Sequence, residues 1–208
     1  HFARINGLSF DPHEVIYSSG GSPAIGTVLE VFRNESQKKN LHPRLLYPGH
    51  SFATVVSIAK EKNLTLHPLT TTPTHHYTLH SDQLTEYFDS APANTTHLLY
   101  LTTLNNPTSL FLDPDELAKS LAIALQHDPH ILLLVDCVYN ATAPAARIQA
   151  LMNVFRQPEI MEHCLFLESL SKFAARTGTR SAALFCRNNQ WRQAILNNVR
   201  VISAGHPF

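Results

Sequence analysis

The chain has 208 residues, of which 44% are hydrophobic and 15% charged, a composition that excludes a disordered segment and is long enough to bury a core. Sixteen basic side chains balance sixteen acidic ones, so no basic stripe for nucleic-acid phosphates is indicated. No apolar run approaches membrane length. The three widely spaced cysteines, Cys137, Cys164 and Cys186, point to a reducing, cytoplasmic setting rather than to a disulfide framework or a zinc cluster.

In chain order, residues 14–18 (EVIYS) read as a short buried strand, followed by a Gly/Ser turn and a helix over about 24–34. Residues 44–47 (RLLY) are the next strand, stopped by Pro48 and Gly49; 52–62 is an amphipathic helix and 64–69 a strand. A Thr/Pro/His stretch (TTTPTHHYTLHS) reads as a solvated loop. His76 and His80 in it have i,i+4 spacing, yet no metal site is expected, because a loop does not hold that spacing on one face. A helix over 81–89 follows, with Ser81 at its N-cap. Then come a strand over 97–103 (HLLYLTT) and a helix from Asp113 and Pro114 to about 126, with proline at its first position. Three further strands are expected: 131–135 ending on Asp136, 163–167 ending on Glu168 and Ser169, and 180–186, before a closing helix from about 189. Sequons at Asn34, Asn63, Asn94 and Asn140 are of the kind that arise by chance. Continuous apolar strands alternating with helices predict an α/β fold, three layers α/β/α around a mostly parallel sheet, with any ligand at the carboxyl ends of the strands.

Four segments at those strand ends carry polar chemistry. In Ser169-Leu170-Ser171-Lys172, with Arg180 eight residues past the lysine, an amine sits among hydroxyls at a strand mouth. It can form an imine with an aldehyde, while the serines and the arginine can hold a phosphate; a surface turn with an incidental lysine is the plainer alternative. In Asp136-Cys137-Val138-Tyr139 a carboxylate ends the most apolar strand and needs a cation or donors, or else simply caps a turn. Asn105-Asn106-Pro107-Thr108-Ser109 is a turn sequence, and Ser18-Ser19-Gly20-Gly21-Ser22 before a helix is a possible anion site.

The order and separation of the four segments resemble the class I/II aminotransferases, fold-type-I enzymes dependent on pyridoxal 5′-phosphate (PLP), over about residues 15–180. The resemblance implies that Lys172 carries PLP as a Schiff base and that Asp136 pairs with the pyridine nitrogen. It implies that Asn106 and Tyr139 bond the phenolic oxygen, and that Gly21, Ser22, Ser169 and Arg180 hold the phosphate with help from Ser171. His50 takes the place of an aromatic stacked on the ring. Three departures stand out: Ser109 replaces the glycine of N-P-T-G, Cys137 follows the aspartate where an acidic residue is common, and His50 replaces Tyr, Phe or Trp. Strand alternation is expected to turn Cys137 away from the ring.

The implied activity is amino-group transfer between an amino acid and a 2-oxo acid, in a cytoplasmic homodimer. Residues 1–208 would then be the PLP-binding large domain, cut at both ends and without its small domain. Two alternatives stay open: another fold-type-I reaction, such as a carbon–sulfur lyase or amino-acid cyclase, and a PLP-binding regulatory domain of a transcription regulator.

Overall fold

A computed structural model describes residues 2–172, 178 and 180–202. Seven strands form one sheet: β1 (Val15–Ser18), β2 (His42–Pro48), β3 (Thr65–Leu69), β4 (Thr95–Thr102), β5 (Leu132–Asp136), β6 (Cys164–Ser169) and β7 (Ala182–Phe185). Their order is β1-β7-β6-β5-β4-β2-β3. Strands β2 to β6 are mutually parallel, whereas β7 is antiparallel to both of its neighbours. Strand β1 therefore points the same way as the parallel set, and only β7 enters the sheet from the opposite end.

Alternation along the central strands divides the core in two. In β5, Leu133 and Val135 join one apolar cluster while Leu132 and Leu134 join the other; in β6, Cys164 and Phe166 oppose Leu165 and Leu167. Helices α2 (Gly21–Lys38), α3 (Ala53–Glu61) and α8 (Asn189–Ile202) cover the Leu132 face, through Ile25, Leu29, Phe32, Val55 and Ile195. Helices α1 (Phe2–Asn6), α4 (Ser81–Asp89), α5 (Pro114–His127), α6 (Ala145–Phe155) and α7 (Pro158–Met161) cover the Leu133 face. The result is the three-layer α/β/α fold that the alternating pattern predicts.

The boundaries depart from the sequence reading where capping differs. Helix α2 begins at Gly21, not near residue 24, because Gly20 at φ 131° turns the chain directly into it. Ser81 is the first residue of α4 rather than its cap: its N–H and hydroxyl both donate to Glu116 of α5, and the N–H of His80 donates to Gln83 Oε1 at 3.0 Å. Helix α5 has the expected cap, Asp113 Oδ1 accepting from the N–H groups of Asp115 and Glu116 at 3.0 Å each. Helices α1, α6 and α7 carry no strong start signal; α6 follows Pro144 without a side-chain cap.

Alternation also buries a polar relay on the Leu133 face. Glu168, 5% exposed, accepts from the N–H of Ser169 at 3.1 Å and from Asn6 Nδ2 at 3.5 Å. Asn6 Oδ1 in turn accepts from Asn140 Nδ2, and Asn140 Oδ1 accepts from the Thr103 hydroxyl. Burial pushes the Glu168 carboxyl up from 4.5 to about 7, against these donors. Because its folded value is raised, its contribution to stability is full below about 4.5 and is lost as pH rises through about 7. Glu168→Gln is therefore expected to stabilise the protein at pH 8 relative to pH 5, by roughly 1–3 kcal/mol. Thermal unfolding of both proteins at the two pH values checks this, and an equal shift at both would contradict it.

Candidate functional site

The carboxyl ends of the parallel strands, the end of β1 and the start of β7 all lie at one edge of the sheet. Register ties them together: Ser18 faces Ala182, Ala182 faces Ser169, and Asp136 lies between Thr102 and Leu167. Parity then selects the face. Tyr100, Thr102, Asp136 and Ser169 follow the side of the sheet that packs on α2, whereas Thr103, Cys137 and Glu168 take the other side.

On the α2 side this edge encloses a cavity of about 200 Å³. One end is built for an anion. The first backbone bond of α2 runs from the N–H of Ala24 to the Gly20 carbonyl at 3.1 Å, which leaves the N–H groups of Gly21 and Ser22 outside the helical ladder. The Arg180 guanidinium lies against Gly20, within 3.1 Å of where a Cβ would stand, and the positive φ there favours glycine. Ser169, 2% exposed, completes this end, its hydroxyl donating to the Ser181 carbonyl at 3.2 Å. Arg180, Ser169, Gly21 and Ser22 all line the cavity.

The wall beyond carries Asp136, Tyr139, Asn106 and Lys172. Lys172 Nζ stands 5.6 Å from the centre of the Tyr139 ring, and the Tyr139 hydroxyl accepts from Asn106 Nδ2 at 3.4 Å. Asp136 is half-buried and receives two neutral donors: the Tyr100 hydroxyl to Oδ2 at 2.7 Å and the Val138 N–H to Oδ1 at 3.0 Å. Burial raises its carboxyl above the usual aspartate value, and those two bonds oppose the rise without cancelling it. The Tyr100 phenol, fully buried beside that carboxylate, is pushed well above its usual value and remains a donor.

Of the residues singled out from the sequence, Lys172, Asp136, Tyr139, Gly21, Ser22, Asn106, Ser169 and Arg180 converge on this cavity. The Ser171 side chain lies outside the described part of the chain. The His50 side chain is turned elsewhere: Nδ1 bonds the Thr71 hydroxyl at 2.7 Å and the ring meets Tyr77 edge-on at 4.9 Å. Its backbone carbonyl is what serves the site, accepting from Asn105 Nδ2 at 2.7 Å and so anchoring the turn that presents Asn106. Besides Tyr139, Phe52 is an aromatic residue that lines the cavity. Ser109 adopts φ 58°, a left-handed conformation that favours glycine, at a cost on the order of 1 kcal/mol. Two contributors went unread in the sequence. Tyr100 is the diagonal cross-strand neighbour of Asp136, and its one signal was a phenol set in the apolar run LLYL. Phe52, at the cap of α3, gave no signal separate from that helix's apolar face.

Comparison with known proteins gives a consistent picture. The family pattern described as "Aminotransferase class I and II" matches residues 1–206. Among solved structures, the chain resembles the aspartate aminotransferase from Rhizobium meliloti with a TM-score of 0.77 and 18% identity, over 99% of this chain and 48% of that one. It resembles the aromatic aminotransferase from Pyrococcus horikoshii OT3 with a TM-score of 0.81 and 19% identity, over 99% and 51%. Escherichia coli YbdL, described as having a methionine aminotransferase function, gives 0.73 and 14%, over 97% and 50%. The chain thus spans about half the length of these structures. Comparison with curated protein sequences gives no match.

Removing the phenol that braces Asp136 tests the electrostatics directly. Tyr100→Phe should raise the Asp136 titration midpoint, through the loss of a hydrogen bond to the charged form. Carboxyl-carbon NMR of the two proteins measures it; an unchanged or lower midpoint would show that the phenol does not stabilise the carboxylate.

Proposed function

The chain belongs to the class I and II aminotransferase family, whose cofactor is PLP, and from that premise we propose that the protein moves amino groups between an amino acid and a 2-oxo acid, with Lys172 as the cofactor-bearing lysine. The observation that carries this reading is Asp136, a carboxylate raised by burial at a cavity wall whose donors among the described residues are the neutral Tyr100 hydroxyl and Val138 N–H. A protonated pyridine nitrogen is the cation that such a group lacks. The other walls fit as well: the N-terminus of α2 and Arg180 suit a phosphate dianion, and Lys172 offers an amine between the two ends.

When bound, PLP supplies an electron sink for charge that develops at the α carbon of an amino acid. The residues of the chain set the conditions for it. Asp136 would hold the pyridine end and favour its protonated form. Tyr139 and Asn106 would offer a hydroxyl and an amide to the phenolic side of the ring. Gly21, Ser22, Ser169 and Arg180 would hold the phosphate, with Ser171 a helper by resemblance. Lys172 Nζ would hold the cofactor and would also be the amine placed to take a proton from the substrate α carbon. Phe52 is the proposed apolar contact for the ring, while the His50 ring is bonded to Thr71. Three free, buried thiols support the reading of the whole protein as cytoplasmic, and its family resemblance supports a homodimer. No helix among the described residues is long and apolar enough to cross a membrane.

Two experiments test the reading. Borohydride reduction of the PLP-loaded protein and peptide mapping should place a pyridoxyl group on Lys172; a mark on another lysine would overturn the assignment. Asp136→Ala should lower transamination turnover at least about 100-fold, roughly 2.7 kcal/mol on the barrier, while leaving the fold intact by circular dichroism. Turnover within about threefold of the parent would remove Asp136 from the mechanism.

A further inference from the structure

The connection between β3 and α4, expected to be an open loop, folds back on itself. Thr72 caps a short 3-10 turn over Pro73–His75, and His76 and Tyr77 then both adopt left-handed backbone, at φ 48° and 54°. That reversal buries Leu79 and returns His80 beside His75 rather than His76: the two imidazoles stack at 4.4 Å between centroids and 20° between planes. Asp82, in the first turn of α4, brings Oδ2 to 3.2 Å from His75 Nε2. One donor atom from each of His75, His80 and Asp82 lies within 4.8 Å of the others. Tetrahedral zinc with ligand bonds near 2.0 Å sets its donors about 3.3 Å apart, so the His75–Asp82 pair already stands at that spacing.

The surroundings hold these side chains in place. Gln83 spans the two limbs of the connection, Nε2 donating to the Thr70 carbonyl at 2.6 Å and Oε1 accepting from the His80 N–H at 3.0 Å. Glu116 of α5 stands 3.4 Å from His80 Nδ1, as a carboxylate that orients a metal-bound imidazole does. Its own geometry is set by the Ser81 donors and by Lys119 at 2.7 Å. All three groups are partly exposed, so an ion has an open path to them.

We propose that His75, His80 and Asp82 bind one divalent transition-metal ion of the zinc or copper class, with Glu116 supporting His80. Two imidazoles and one carboxylate suit these borderline ions and not magnesium or calcium, which take oxygen ligands. The ion would clamp the β3–α4 connection, whose Thr71 and Tyr77 touch His50, and through the His50 carbonyl would brace the turn that bears Asn106. The site is independent of Lys172 and stands whatever reaction the cavity performs.

The test is calorimetric titration of the untagged, full-length, PLP-loaded protein with zinc chloride, repeated with copper(II) for electron paramagnetic resonance. One equivalent of zinc should bind with a dissociation constant of about 10 μM or tighter. Copper should show coupling to two imidazole nitrogens. His75→Ala and His80→Ala should each weaken zinc at least tenfold and remove one nitrogen from the copper spectrum, while His76→Ala, at the neighbouring exposed histidine, leaves both unchanged. Asp82→Asn, at a largely exposed position, serves as a further ligand variant should a histidine variant fail to fold, and should also weaken zinc. Parent protein with no zinc binding tighter than about 100 μM, or ligand variants that bind like the parent, would overturn the proposal.

Discussion

The site rests on the pleat of three neighbouring strands. β4, β5 and β6 run parallel and end in register, so one rule of alternation assigns every side chain at their mouths to one of two chambers. Leu132, Leu134, Leu165 and Leu167 pack on α2, and the polar residues that continue their parity, Asp136 and Ser169, open into the cavity at the start of that helix. A one-residue slip in β5 would exchange Asp136 for Cys137 and put an uncharged thiol at the cavity wall. The apolar parts of the strands, clamped between two full clusters, are what hold that register.

Electrostatics at the wall is a balance that leaves one term open. Burial disfavours the Asp136 anion; a phenol and a backbone N–H partly restore it; among the described donors, neither carries charge. A carboxylate so placed binds a cationic partner more strongly than an exposed one does. The opposite chamber carries a different set of groups. Cys137 and Cys164 are fully buried, with thiols pushed well above their usual range, and Glu168 accepts from Asn6 and from the Ser169 N–H.

The strands were legible in the sequence because each is a short apolar run closed by Pro, Gly or a polar cluster, and the residues of the cavity because they follow those runs. Sequence could not convey what depends on side-chain direction. His50 and Phe52 are two residues apart, yet the His50 ring bonds Thr71 while Phe52, at the cap of α3, lines the cavity. Tyr100 looked like one more strand residue until register set it diagonal to Asp136. Pairing in the His75–His80 turn depended on two consecutive left-handed residues, neither of them glycine, that no propensity anticipates. Helix α6 starts after Pro144 with no side-chain cap, and a short amphipathic stretch there lacked the signal that Asp113 gave α5.

The antiparallel entry of β7 has a consequence for how the chain is made. Strand β1 leads the sheet in sequence, yet among the described residues it pairs only with β7, Val15 meeting Phe185. At roughly 5–20 residues per second, a ribosome takes about ten to thirty seconds to deliver that partner once β1 has been made. Over that interval the five parallel strands can pair among themselves, while β1 and the glycine turn after it wait as an uncovered edge. The anion end of the cavity, which needs both Gly20 and Arg180, is then the last part of the sheet to close, and a nascent chain stalled before β7 offers chaperones an unpaired strand rather than a finished domain.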